Sequence, residues 1–413
     1  MSCVRILIIL LSLFFLCCSE KNNQTVSKNS TQKSLLNVKT LKINTTNQIT
    51  NDRIYSTFAN LNVMKTTDTK SPVITKIRNN FWYYVVQRTD KWIKIKLNNG
   101  REGYVDANYV TNYWLKVLKS EREIHLMKNW ESVRVYPIGL GFNPVGDKKI
   151  LGDGCTANGR FYIVEMLKNP QPQSRYGAKS LRLSYPNIED ARRGLKSKII
   201  SKTQYLDIVK AIYNGKIPLQ NTKLGGSLRI HGGGSGKDWT LGCMALDDKH
   251  IIDLYSRLTN KNMMVDIYMD EKEYQKLKNR FYANYLLLKG AKKLLTEKLV
   301  YTEDAIKIIK LKFPMGDLNR NIGVCTDVII RALRFINIDL QALLYEDIIM
   351  NPSRYKNIIT PNTNIDHRRV RNLKIWLDHY TISVNGDWKP GDIVLLDTGV
   401  KNGTIYDHIG IVS

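Results

Sequence analysis

One short stretch constrains this chain more than any other. Residues 229–246 read RIHGGGSGKDWTLGCMAL, with His231 twelve positions before Cys243 and glycines at 232, 233, 234, 236 and 242. A thiol needs a base to become a thiolate near neutral pH, and a histidine from a neighbouring strand is a common supplier. Glycines at 232–234 let backbone approach a ligand closely, and Gly242 permits a tight turn just before the cysteine. N–H groups at Gly242 and Cys243 in such a turn are placed to hold an oxyanion. The plainer alternative is a packed core thiol and an unrelated loop histidine, and it leaves the glycines unexplained.

Two other readings fail on spacing. A phosphate loop requires G-x-x-x-x-G-K-[ST], but the position five before Gly236 is His231, and Lys237 is followed by Asp238. The HGGG run is shared with the oxyanion element of lipases, yet no G-x-S-x-G elbow occurs anywhere in the chain.

At 413 residues the chain is long enough for several domains with separate cores. The formal net charge of +26 is compatible with anionic polymers such as cell-wall material. Its lysines and arginines are scattered, with no basic stripe interleaved with aromatics, so nucleic acid is not the expected partner. Cys3, Cys17, Cys18, Cys155, Cys243 and Cys325 show no C-x-x-C spacing, so neither a zinc site nor any cofactor is expected. Cys155 has no role that the sequence assigns.

Residues 1–18 carry one arginine and then an apolar run shorter than the ~20 residues that span a bilayer, which reads as an export segment. The Cys17-Cys18 pair after it resembles a bacterial lipoprotein signal, with Cys18 the expected lipidated residue and a membrane-anchored envelope location. Residues 19–46 are rich in Lys, Asn, Ser, Thr and Gln and read as a flexible tether.

Residues 47–117 alternate short apolar runs with turns, and WIKIKL (92–97) has strict period-two alternation before Asn98-Asn99-Gly100. This small all-β unit resembles bacterial SH3-like domains, which implies a barrel that binds peptidoglycan stem peptides. The usual Arg-x-Gly-Pro after Leu-Asn-Val is replaced here by Met64-Lys65-Thr66-Thr67. Trp82, Trp92 and Tyr104 suit either its core or its binding surface.

Within residues 118–270, Tyr136-Pro137, Gly139-x-Gly141, Gly152-Asp153, Thr156, Gly159, Phe161-Tyr162-Ile163 and LSYPN (183–187) precede the His231–Cys243 stretch. Their order resembles the YkuD-type L,D-transpeptidases. The resemblance implies a β-rich catalytic domain in which Cys243 attacks a stem-peptide carbonyl and His231 takes the thiol proton. It further implies oxyanion donors at Gly242 and Cys243 and a supporting hydroxyl at Thr240. Attack by an amine then gives a cross-link, and attack by water gives carboxypeptidase trimming. Two departures stand out: Ala245 where the family often has Arg, and Ala157 in place of a common Pro. A guanidinium suits a carboxylate, so the source of that contact in this chain is left open.

Residues 271–298 read as a charged helical linker. In 299–413, GVCTDVIIRALRFI sets Val328, Ile329, Ala332, Leu333 and Ile336 on one helical face with Cys325 at the helix start, where the dipole favours a thiolate. A helix-start cysteine with His408 on a later strand resembles papain-like peptidases of the NlpC type, closest to an uncharacterised bacterial family. That likeness implies an α+β domain with a second site of Cys325 and His408, joined by Asp327, Asp366, His367 and Arg368. The chain stops at Ser413 in the strand bearing the histidine, so this site is expected to be incomplete.

The expected fold is therefore multidomain: a small SH3-like barrel, a β-rich catalytic domain and an α+β papain-like unit. The expected function is a cysteine-dependent L,D-transpeptidase of the cell envelope. The competing reading is a wall-binding lipoprotein whose cysteine sites are degenerate.

Overall fold

A computed structural model describes residues 2–5, 52–79, 81–97, 100–168, 175–258, 261–278, 280–302, 310–384, 388–400 and 403–413. The first unit is a sheet of seven strands: β1 (Arg53–Ser56), β2 (Leu61–Met64), β3 (Val73–Ile77), β4 (Trp82–Arg88), β5 (Trp92–Lys96), β6 (Glu102–Asp106) and β7 (Val110–Thr111). Their order is β3-β2-β6-β5-β4-β1-β7. Alternation in β5 points Ile93 and Ile95 inward beside Val63, Val85 and Val105, so period two becomes one buried face. Gly100 has φ 80°, and residues 98–99 of the expected turn lie outside the described residues. Trp82 is buried, whereas Trp92 and Tyr104 are half-exposed.

The second unit is an eight-stranded mixed sheet: β8 (Tyr113–Leu118), β9 (Glu123–Lys128), β10 (Glu131–Pro137), β11 (Gly159–Lys168), β12 (Lys179–Leu183), β13 (Arg229–His231), β14 (Met244–Ala245) and β15 (Met264–Tyr268). The order is β10-β9-β8-β15-β11-β12-β13-β14. β8 pairs with both β9 and β15 in this sheet, which moves the boundary expected after residue 117 to the short link before Tyr113. Leu115, Val117, Phe161, Ile163, Leu181, Ile230, Met244 and Val265 fill its core.

Between β12 and β13 the chain inserts α1 (Ile188–Lys196) and α2 (Lys202–Tyr213). Each opens on a capping box, Asn187 with Asp190 and Ser201 with Gln204, in which side chains satisfy amides that the first turn leaves free. α3 (Asp248–Arg257) follows β14 directly and seats Ile251 and Leu254 in the core.

The third unit holds α5 (Arg280–Leu294), preceded by α4 (Glu271–Lys278), then α6 (Cys325–Phe335), α7 (Leu340–Met350) and α8 (Val370–Tyr380). β16 (Ile382–Val384), β17 (Ile393–Leu396) and β18 (His408–Ile411) form its sheet. The stretch read as a linker is more than a connection. Leu287 of α5 is fully buried among Ile329, Leu333, Leu373 and Ile393, so α5 belongs to this core.

Ser2–Arg5 also enters this sheet, as a strand antiparallel to both β16 and β17. Their backbone bridges two strands that do not pair with each other. The rest of the leader, the tether over 19–46 and Cys18 lie outside the described residues.

Buried polar contacts join the units. Tyr55 Oη donates to the Tyr113 carbonyl at 2.7 Å and accepts from the Met264 amide at 2.9 Å. Arg192 of α1 pairs with Glu346 of α7 at 2.5–2.7 Å, and Tyr205 donates to the same carboxylate at 2.5 Å. The Arg78 guanidinium lies 3.6 Å from the Tyr213 ring centroid and donates to Tyr380 Oη at 3.1 Å.

Candidate functional site

The site is built where β13 and β14 run parallel. Ile230 pairs with Met244 and His231 with Ala245. Cys243 stands two residues before Ala245, directly ahead of β14. The Arg229 amide, two residues before His231, donates toward the Cys243 sulfur. Cys243 Sγ lies 3.8 Å from the Ser227 carbonyl, and the residue is half-buried.

Gly242 is held at φ 126°, a region that disfavours side chains, and a Cβ there would lie 2.6 Å from the Cys155 carbonyl. Thr240 locks this turn: its Oγ1 donates to the Cys243 carbonyl at 2.7 Å and accepts from the Gly242 amide at 3.1 Å. The supporting position expected for Thr240 is therefore occupied by a hydroxyl with two bonds. The Gly242 amide, expected to hold an oxyanion, donates here to Thr240. The Cys243 amide has no such partner among the described residues.

His231 is buried, and its Nδ1 lies 2.6 Å from the Gly232 carbonyl. A carbonyl can only accept, so Nδ1 carries the proton and Nε2 is the free basic nitrogen. Tyr176 and Trp239 set their rings edge-on to the imidazole at 5.3 and 5.8 Å, which fixes its plane. Burial holds its pKa below the ordinary value and the Arg229 charge acts in the same sense, against the Gly232 bond. Burial also pushes the Cys243 thiol up, opposed by the Arg229 amide and by the charges of Arg229, Lys148 and Arg175. Both shifts favour the uncharged form of the group.

Lys148 and Arg175 are invisible to motif reading because they come from separate loops, whereas Arg229 opens the glycine-lined stretch itself. Buried Lys148 donates to Asp153 Oδ1 at 2.8 Å and to the Ile150 carbonyl at 3.1 Å. Buried Arg229 donates to Ser180 Oγ at 3.0 Å and to Glu165 Oε2 at 2.6 Å. Asp238 is tied to Arg122 and to the Leu140 amide, so it anchors the turn. Cys155 is buried, with its carbonyl against Gly242, which places it behind the nucleophile turn. Lys119 is fully buried and donates to the Thr156 carbonyl at 2.7 Å and to Asn158 Oδ1 at 2.9 Å, bracing the same loop from below.

In the third unit, Cys325 is the first residue of α6, and the Ile409 and Thr326 amides point toward its sulfur. Burial outweighs those amides and raises its pKa. His408, half-buried, directly precedes Ile409 on β18. Asp327 Oδ2 accepts from the Val324 amide at 2.9 Å, closing the helix start, and its Oδ1 accepts from Arg368 at 2.8 Å. His367 Nε2 lies 2.6 Å from Arg368 Nη1, and Asp366 accepts from the Asn362 amide at 2.6 Å. Asp327, His367 and Arg368 thus form one buried network beneath the helix start, while His408 lies on the strand beside it. Among the described residues, no group of three metal-ligating side chains is present.

Fold and site together fit one class. Residues 112–267 match the family model described as the L,D-transpeptidase catalytic domain (YkuD), and residues 288–413 match a domain of unknown function, DUF1287. The centre of the chain is accordingly similar to L,D-transpeptidase catalytic domains. Among individual proteins, the chain is 38% identical over 141 residues to "Uncharacterized protein YijF" of Escherichia coli K12, covering 32% of this chain and 64% of that protein. Solved structures similar to it include Bd1075 of Bdellovibrio bacteriovorus, at 18% identity and a TM-score of 0.27, covering 46% of this chain and 65% of that one. The helical cell shape determining protein Pgp2 of Campylobacter jejuni is similar at 19% identity and a TM-score of 0.27, covering 46% and 63%. The chain thus spans less than two thirds of the length of each of these three relatives.

Proposed function

We propose that the chain is a cell-wall enzyme that transfers acyl groups of peptidoglycan stem peptides through Cys243. The observation that supports this reading is the parallel register of β13 and β14, which runs the segment that follows Cys243 alongside His231, a buried histidine whose tautomer the Gly232 carbonyl sets. The match of residues 112–267 to the L,D-transpeptidase family supports the substrate class. In the reaction, Nε2 of His231 takes the thiol proton as sulfur bonds to the donor carbonyl carbon. The resulting oxyanion is held by the Cys243 amide. Collapse breaks the C–N bond, His231 returns the proton to the leaving amine, and a thioester remains on Cys243. An incoming amine resolves it to a cross-link and water resolves it to a trimmed peptide.

On this reading the seven-stranded unit is an SH3-like module that holds the wall, and lipidation at Cys18 keeps the enzyme at the envelope. Cys325 with His408 forms a second thiol site, a reading supported by the Ile409 amide directed at the Cys325 sulfur. The test is incubation of the full chain with a disaccharide-tetrapeptide, with products resolved by mass. Release of the terminal residue by wild type and none by Cys243→Ala supports the assignment. Equal release by both removes it.

A further inference from the structure

The substitution of Ala245 for the family's arginine leaves the acyl donor without a guanidinium at that position. Three other cations reach the Cys243 thiol with their charge: Arg229, Lys148 and Arg175. Two of them are committed, Lys148 to Asp153 and Arg229 to Glu165 and Ser180. Arg175 is exposed and makes no hydrogen bond or ion pair among the described residues.

Backbone contacts fix where Arg175 stands. Its carbonyl would lie 3.4 Å from a Cβ on Gly233, and the Tyr176 carbonyl accepts from the Gly232 amide at 2.9 Å. The Tyr176 ring meets His231 edge-on at 5.3 Å. Asp248, the carboxylate that closes this loop, spends Oδ1 on the Ala178 and Gly233 amides at 2.9 and 3.1 Å. Arg175 therefore stands at the rim of the site, near the general base, with its forked donors unspent among the described residues.

We propose that Arg175 receives the terminal carboxylate of the acyl donor's leaving residue. This deepens the transpeptidase reading and rests on it. In a peptide cut one residue from its end, that carboxylate is separated from the scissile nitrogen by a single α-carbon, so it is the anion closest to the reacting bond. A guanidinium binds a carboxylate through two parallel charge-assisted bonds. The site then selects peptides that end one residue beyond the scissile bond and disfavours internal bonds.

The test compares stem tetrapeptides carrying a C-terminal carboxylate or a C-terminal amide, using full-length wild type, Arg175→Gln and Arg175→Lys. Alkylation of Cys243 by iodoacetamide reports an intact site in each variant. Wild type is expected to prefer the acid. Arg175→Gln should lose about 10- to 100-fold in kcat/KM on the acid, as for removal of a charged hydrogen-bond partner, with the amide unaffected. Arg175→Lys should recover part of the preference. Equal losses on both donors, or an unchanged acid preference in Arg175→Gln, overturn the role of Arg175 while leaving Cys243 chemistry standing. A wild type that turns over neither donor overturns the transpeptidase reading and this inference with it.

Discussion

His231 lies on β13 and pairs with Ala245 of the parallel strand β14, and Cys243 stands two residues before Ala245, directly ahead of that strand. This register depends on the Gly242 turn, because a side chain there would meet the Cys155 carbonyl.

Thr240 is the first point at which that turn can be broken. Its hydroxyl bonds both the Gly242 amide and the Cys243 carbonyl. Thr240→Val leaves a buried amide unpaired, at a cost of about 1–3 kcal/mol. Thermal unfolding should show that loss together with reduced thiol reactivity, and Thr240→Ser should restore most of both. Unchanged reactivity in Thr240→Val would separate the hydroxyl from the nucleophile turn.

Arg229 and Glu165 give opposite predictions at the thiol. The Arg229 charge favours the Cys243 thiolate, and Glu165 partly cancels that charge. Arg229→Gln should move the pH midpoint of Cys243 alkylation upward by on the order of one unit. Glu165→Gln should move it downward. A packing defect would not shift the two variants in opposite directions, so the pH profile discriminates between the explanations.

Much of this geometry was legible in the sequence where it is local. His231, Gly242 and Cys243 fall within one glycine-lined stretch, and the alternation of WIKIK marks β5 without help from distant residues. The surrounding charges were not legible. Lys148, Glu165 and Arg175 reach the site only through the folding of β11, β12 and their loops, and no spacing relates them to Cys243. Tertiary burial likewise decided α5, whose charged composition reads as a linker although Leu287 fills the third core. The Thr240 hydroxyl that accepts from the Gly242 amide was not legible either, because hydroxyl geometry cannot be read from a motif.

Lys119 makes a pH prediction for stability. Burial lowers its pKa from an ordinary 10.5 to about 8. The unfolded chain therefore binds the extra proton between those values, so stability rises as pH increases through that window and is lost as pH falls back through it. The difference in melting temperature between wild type and Lys119→Met should shift in favour of wild type from pH 8 to 10.5. A difference that stays flat across the window would mean that the lysine titrates as it does in water.

The central claim is that Cys243 accepts an acyl group with His231 as its base. Mass spectrometry of the intact protein after exposure to a carbapenem, a β-lactam able to acylate a reactive thiol, tests it most directly. The account predicts one adduct that maps to Cys243, is absent from Cys243→Ala and forms far more slowly in His231→Ala. No adduct on wild type, or an equal adduct on Cys243→Ala, would contradict it.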